Sequence, residues 1–140
     1  MRRVLALASI LCLPLAARAG EDADALLRGL GLKPSGEIVS VDAARSAGGQ
    51  VSVRLVPAAG AKLVADPGVT VVPVDRLGLP LGAPVTLRDS AQEYFQAPPV
   101  LLVEPGGAQA LRVEYAYCVV AKQCLFGDVV VAVPPDQPNS

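Results

Sequence analysis

The chain has 140 residues, no histidine, no tryptophan, one methionine at its start and a formal net charge of −1. Without histidine there is no histidine-based catalytic triad, no imidazole base and no imidazole metal site, and a lone initiator methionine rules out a methionine-rich copper site. Three tyrosines and two phenylalanines make a poor stacking platform, and the charge balance offers no basic face for nucleic acid, so no cofactor, metal or nucleic-acid partner is expected.

Residues 1–19 read as a signal peptide of bacterial type. Arg2 and Arg3 form a positive start, residues 4–16 are apolar apart from Ser9 and Pro14, and Ala17-Arg18-Ala19 has the small-x-small pattern of a cleavage site. The apolar run is short for a bilayer span and Pro14 weakens it as a helix. Leu11 before Cys12 speaks against a lipoprotein site, and Arg2-Arg3 alone is weak evidence for twin-arginine export. Removing Arg2, Arg3 and Arg18 from the twelve basic residues leaves nine against thirteen acidic ones, a net charge of −4. The expected mature part, 20–140, has the size of one domain and carries no second long apolar run. It is therefore expected to be periplasmic, monomeric and not stably inserted in a membrane.

Residues 20–35 form an N-terminal segment in which 21–31 read either as a short helix, capped by Asp22 or Asp24 and ended at Gly29 or Gly31, or as disordered chain. From residue 36 onward the pattern is β. In residues 50–56, Val51, Val53 and Leu55 alternate with Ser52 and Arg54, and Gly48-Gly49 predicts a hairpin with residues 38–44. Further candidate strands are 69–74, 85–88, 93–97 and 100–104, and Gly106-Gly107 marks a turn before a last pair, 110–118 and 124–133. About seven short strands with frequent turn signals predict an all-β fold, an antiparallel sandwich over residues 36–134. Residues 76–84, RLGLPLGAP, are a punctuated loop whose three leucines would fold back onto the core, and 135–140 read as a disordered tail.

The informative stretch is ALRVEYAYCVVAKQCLFGDVVVAVP, residues 110–134. Once Cys12 leaves with the signal, two cysteines remain, and an even count in an exported chain favours a bridge. Setting Cys118 opposite Cys124 in a hairpin places Tyr117 opposite Leu125, Val113 opposite Val129 and Leu111 opposite Val131. That register builds a continuous apolar face. It puts both cysteines on the other face, and it sets Glu114 against Asp128. Two opposed carboxylates destabilise a sheet, so either Gly127 sits in a bulge that moves Asp128 out of line or the pair shares a proton that could serve a leaving thiolate. Closing a seven-residue ring stabilises by only about 2–2.5 kcal/mol in the chain-entropy model, and a domain of this size can fold without a staple. A bridge near a hairpin end is open to attack by another thiolate, and Lys122 inside the ring either lowers a thiol pKa or is an ordinary solvated lysine. The residues alone leave reactive and structural roles evenly balanced.

The Cys-x5-Cys pair in YAYCVVAKQC, followed by a valine-rich strand, resembles the N-terminal periplasmic domain of the thiol:disulfide interchange protein DsbD. IVSVDAARSAGGQVSVRLVPAAGAKLV resembles that family's opening hairpin, and EYFQAPPVLLVEPGGAQALRVEY its penultimate strands. The likeness spans about residues 37–134 and is most specific at the cysteines. It implies an immunoglobulin-like sandwich, a component of a thiol-disulfide oxidoreductase system in which Cys118 and Cys124 are the redox pair. A thioredoxin-like or membrane-embedded reductase would supply electrons, and a periplasmic client would receive them. Cys124 would bond the partner first. The family shields its pair with an aromatic cap loop. By position the cap would be residues 76–84 with Leu79 and Leu81, and Tyr94, Phe95 or Phe126 are alternative shields. Lys62-Leu63-Val64 stand where the family has tyrosines, and Leu125-Phe126-Gly127 where it has an aromatic and prolines. The rival reading is a binding or assembly module with an inert bridge, working through a sheet edge or the 76–84 loop. A hydrolase has almost no residue support.

Overall fold

The computed structural model describes residues 25, 26, 28–30, 35–119 and 123–136, so the predicted signal peptide, Lys122 and residues 137–140 lie outside it. Two units are distinguished, residues 1–33 and 34–140. In the first, residues 25, 26, 28 and 29 are helical, and the Leu30 N–H donates to the Leu26 carbonyl at 3.1 Å. The candidate N-terminal helix thus has one turn among its described residues.

The second unit is an all-β sandwich of two antiparallel sheets. One helical turn, Ser35–Ile38, precedes it where the sequence pattern predicts strand, and Ile38 both packs against the core and accepts the Ala58 N–H at 2.7 Å, just beyond the first pair of the opening hairpin. The first sheet orders β1 (Val39–Arg45), β2 (Val51–Pro57) and β6 (Val100–Val103) as β1-β2-β6. The predicted opening hairpin is β1 with β2. Its turn closes with Ser46 N–H donating to the Gln50 carbonyl at 2.8 Å, and Gly49 takes φ 84°, a region closed to most side chains.

The second sheet is built around β7 (Ala110–Val119). On one side β7 pairs with β8 (Gln123–Ala132) along its whole length. On the other it pairs first with β4 (Val69–Val74) and then, nearer its C-terminal end, with β3 (Ala61–Leu63). β5 (Val85–Leu87) adds to the outer side of β4. Among the described residues eight strands form where about seven are predicted. β3 is additional, because three residues are too few to show an alternation. Residues 93–97, a predicted strand, make only a single bridge, Tyr94 with Val64. Pro98 and Pro99 follow at once and cannot donate to a ladder.

Alternation decides the core. Val51, Val53 and Leu55 from the first sheet meet Val69, Val71, Leu111, Val113, Tyr115 and Tyr117 from the second. Complete burial of each valine or leucine stabilises by about 1.5–3 kcal/mol, so the core is independent of any covalent link.

Two expectations are corrected. Gly127 is not in a bulge, because the register passes through Tyr115–Gly127 to Glu114–Asp128 without a break. Its glycine has another cause. A Cβ there would lie 2.4 Å from the Tyr115 ring, which occupies the space a side chain would need. The 76–84 leucines do not fold onto the core either, for Leu77, Leu79 and Leu81 are all exposed. The Asp75 carboxylate accepts the N–H groups of Leu77 (2.8 Å) and Leu79 (2.9 Å), and this turn satisfies the loop's backbone locally and leaves its side chains outward.

Candidate functional site

Cys118 and Cys124 form a disulfide between directly opposed residues of β7 and β8, with Cα atoms 4.0 Å apart. The next pair, Val119–Gln123, is the last in the ladder. The bridge therefore closes the end of a hairpin that ten backbone pairs already hold. Tyr117 and Tyr115 turn inward, with ring centroids 5.9 Å apart, and strand alternation turns the cysteines to the outer face as the sequence register predicts.

The two cysteines differ in access. Cys118 is only 7% exposed, whereas Cys124, on the outermost strand, is exposed. Lys62 of β3 lies opposite Cys118 on its other side. Cys124, Cys118 and Lys62 thus make one row across three strands. The adjacent row is Phe126, Ala116, Val64 and Tyr94. Phe126 pairs with Ala116, Val64 N–H donates to the Ala116 carbonyl at 2.9 Å, and Val64 bridges Tyr94. Backbone bonds on both sides fix Tyr94 in that row, from Ala65 N–H to Glu93 and from Phe95 N–H to Leu63. The Lys62 ammonium lies 5.2 Å from the centroid of the Tyr94 ring.

The predicted shields separate accordingly. Tyr94 and Phe126 share the disulfide face, but Phe126 is 85% exposed and covers nothing. Phe95 packs toward the core. Leu79 and Leu81 lie at the far end of the sheet. Their loop follows Val74, which pairs with Ala110, about 26 Å along β7 from Cys118. The cap assignment to residues 76–84 is therefore overturned, because β4 runs antiparallel to β7 and carries its C-terminal end away from the cysteines.

Glu114 and Asp128 are opposed as predicted, four residues along from the bridge. Glu114 is ion-paired with Arg112 (Nε to Oε1, 3.1 Å), and both carboxylates face solvent, which relieves their repulsion without a bulge. Arg112 is further held by donating from Nη1 to the Gly78 carbonyl at 3.3 Å. Lys122 lies outside the described residues, and the cation in register with the bridge is Lys62. Neither periodicity nor spacing could reveal Lys62, since its place depends on a pairing with β7 more than fifty residues away.

A cleft of about 110 Å³ opens beside Lys62, lined by Pro57, Leu63, Phe95 and Pro98 among others. It is well below the roughly 300–1,000 Å³ of small-molecule sites. Among the described residues, no group of three acidic or cysteine side chains could hold a metal ion, and no helix is long and apolar enough to cross a membrane. No family model, curated protein or solved structure matches the chain.

Proposed function

We propose that this protein is a thiol–disulfide exchange module whose Cys118–Cys124 bridge opens and closes by reaction with partner thiols. One observation carries the reading. The bridge joins two strands that are already fully paired, and it leaves one of its two residues exposed. A disulfide that closes only a seven-residue ring stabilises by about 2–2.5 kcal/mol, near the low end for such bonds, and accessibility is the requirement for thiolate attack.

The exposed residue sets the order of events. A reductant's thiolate attacks Cys124 Sγ, a new bond forms between the two proteins, and the bond to Cys118 breaks with its electron pair passing to Cys118 Sγ. A second thiol of the reductant then displaces Cys124, leaving the reductant oxidised and this protein with two thiols. In the forward transfer the Cys124 thiolate attacks a client's disulfide, and Cys118 resolves the mixed bond. The reductant would be a thioredoxin-like or membrane-embedded dithiol protein, and the client an exported protein in the periplasm. The likeness of the cysteine hairpin to the DsbD N-terminal domain belongs to the same proposal.

The test is kinetic. A single-cysteine thioredoxin-type protein, activated as a mixed disulfide with a chromophoric thiol, is mixed with the Cys118→Ser and Cys124→Ser variants. The proposal expects rapid cross-linking through Cys124 in the Cys118→Ser variant and at least tenfold slower cross-linking through Cys118 in the other. Equal and slow reaction of both would contradict it.

A further inference from the structure

The exchange proposed above leaves a charge to be accommodated, and this inference rests on that reading. When Cys124 is attacked, the departing electron pair makes a thiolate at Cys118. That sulfur belongs to a residue only 7% exposed, where poor hydration disfavours an anion and makes it a poor leaving group. Something beside it must stabilise the charge. The described side chains that share its face and carry charge are few. Glu114 on β7 and Asp128 on β8 stand four residues away, about 13 Å along the strands, and are of the wrong sign. Arg112 is engaged by Glu114 and Gly78. Glu93 flanks Tyr94 on the segment outside β3. Lys62 alone is directly opposite Cys118, on the side away from Cys124.

We propose that Lys62 is a positioning residue for this exchange: held over the Tyr94 ring while the bridge is closed, its ammonium stabilises the Cys118 thiolate that leaves when Cys124 is attacked. Side chains directly opposed in a ladder have Cβ atoms about 4.5–5.5 Å apart, so rotation of the four-carbon stem carries the ammonium from the ring to the neighbouring sulfur. The ring holds it lightly. Tyr94 is half-buried but Lys62 is exposed, and a cation that stays hydrated over a tyrosine face is weakly bound. The Glu93 carboxylate, hydrogen-bonded to the Tyr94 phenol, pushes that phenol above its ordinary value of 10.0, and the ring is neutral at pH 7. In the closed state the lysine stem also flanks Cys118, which leaves Cys124 as the open side. Balance is kept throughout. The attacking thiolate's charge passes to Cys118 Sγ, and a proton from water or from the ammonium can later neutralise it.

The experiment uses the whole chain with Lys62→Gln and Lys62→Arg. In the reduced proteins, thiolate absorbance near 240 nm is followed against pH. In the oxidised proteins, opening by dithiothreitol is timed at pH 7. Lys62→Gln is expected to raise the Cys118 thiol pKa, read in a Cys124→Ser background, by about one and to slow opening of the disulfide-bonded protein roughly three- to tenfold, while Lys62→Arg stays close to the parent in both. Unchanged values in Lys62→Gln with an unchanged circular dichroism spectrum would overturn the assignment, as would an arginine variant as impaired as the glutamine one. Equilibration of the parent protein with glutathione separates this from the underlying reading. A bridge that never opens there defeats exchange itself, whereas the absorbance titration judges Lys62 on its own.

Discussion

Gly127 sits mid-strand with the buried Tyr115 ring filling the space beside it. Gly127→Ala should therefore destabilise the fold by about 1–3 kcal/mol, read by urea denaturation, because the ring is locked in the core and cannot swing aside. An unchanged midpoint would mean that the ring does not hold this place. Tyr117 offers a second test at the same scale. Burial pushes its phenol above 10.0. The unfolded chain then ionises first as pH rises, binding fewer protons than the native state, so the contribution is complete below pH 10 and is lost as pH climbs through the native value. Tyr117→Phe should flatten the fall in stability above pH 10 relative to the parent protein. A fall of equal steepness in both would contradict this.

The β7–β8 hairpin was legible from residues alone because two independent demands agreed on one register. The cysteines must face each other to bond, and Leu111, Val113 and Tyr117 must face Val131, Val129 and Leu125 to make an apolar surface. Both are met in the structure. Near the bridge that surface opens, with Leu125 42% exposed. The elements that escaped sequence reading are those whose definition is not local. β3 is three residues long and is a strand only because β7 is beside it. Residues 93–97 alternate plausibly, yet find just one bridging residue before Pro98. Chain order suggests the 76–84 loop as a neighbour of the cysteines, whereas strand direction places it at the other end. Changing Leu77, Leu79 and Leu81 together to Ser should accordingly leave the rate of bridge opening by dithiothreitol within about twofold of the parent, and a large acceleration would restore the loop as a cover.

For the whole molecule, the two sheets meet through valine, leucine and tyrosine side chains from every main strand, and the bridge crosses none of that interface. The sandwich should stand without it. Cys118→Ser with Cys124→Ser is expected to remain folded and to lose only about 2–2.5 kcal/mol, by urea denaturation, the loop-closure contribution of a seven-residue ring. A bridge so placed is free to serve as a reagent. The direct measurement of that claim is the reduction potential of Cys118–Cys124, obtained by equilibrating the protein in graded glutathione and dithiothreitol buffers. A value between about −300 and −120 mV, above the range of resistant structural bridges and enclosing the values of proteins that exchange disulfides, is the predicted result. A value well below about −300 mV would mark the bridge as a resistant structural link and contradict the account.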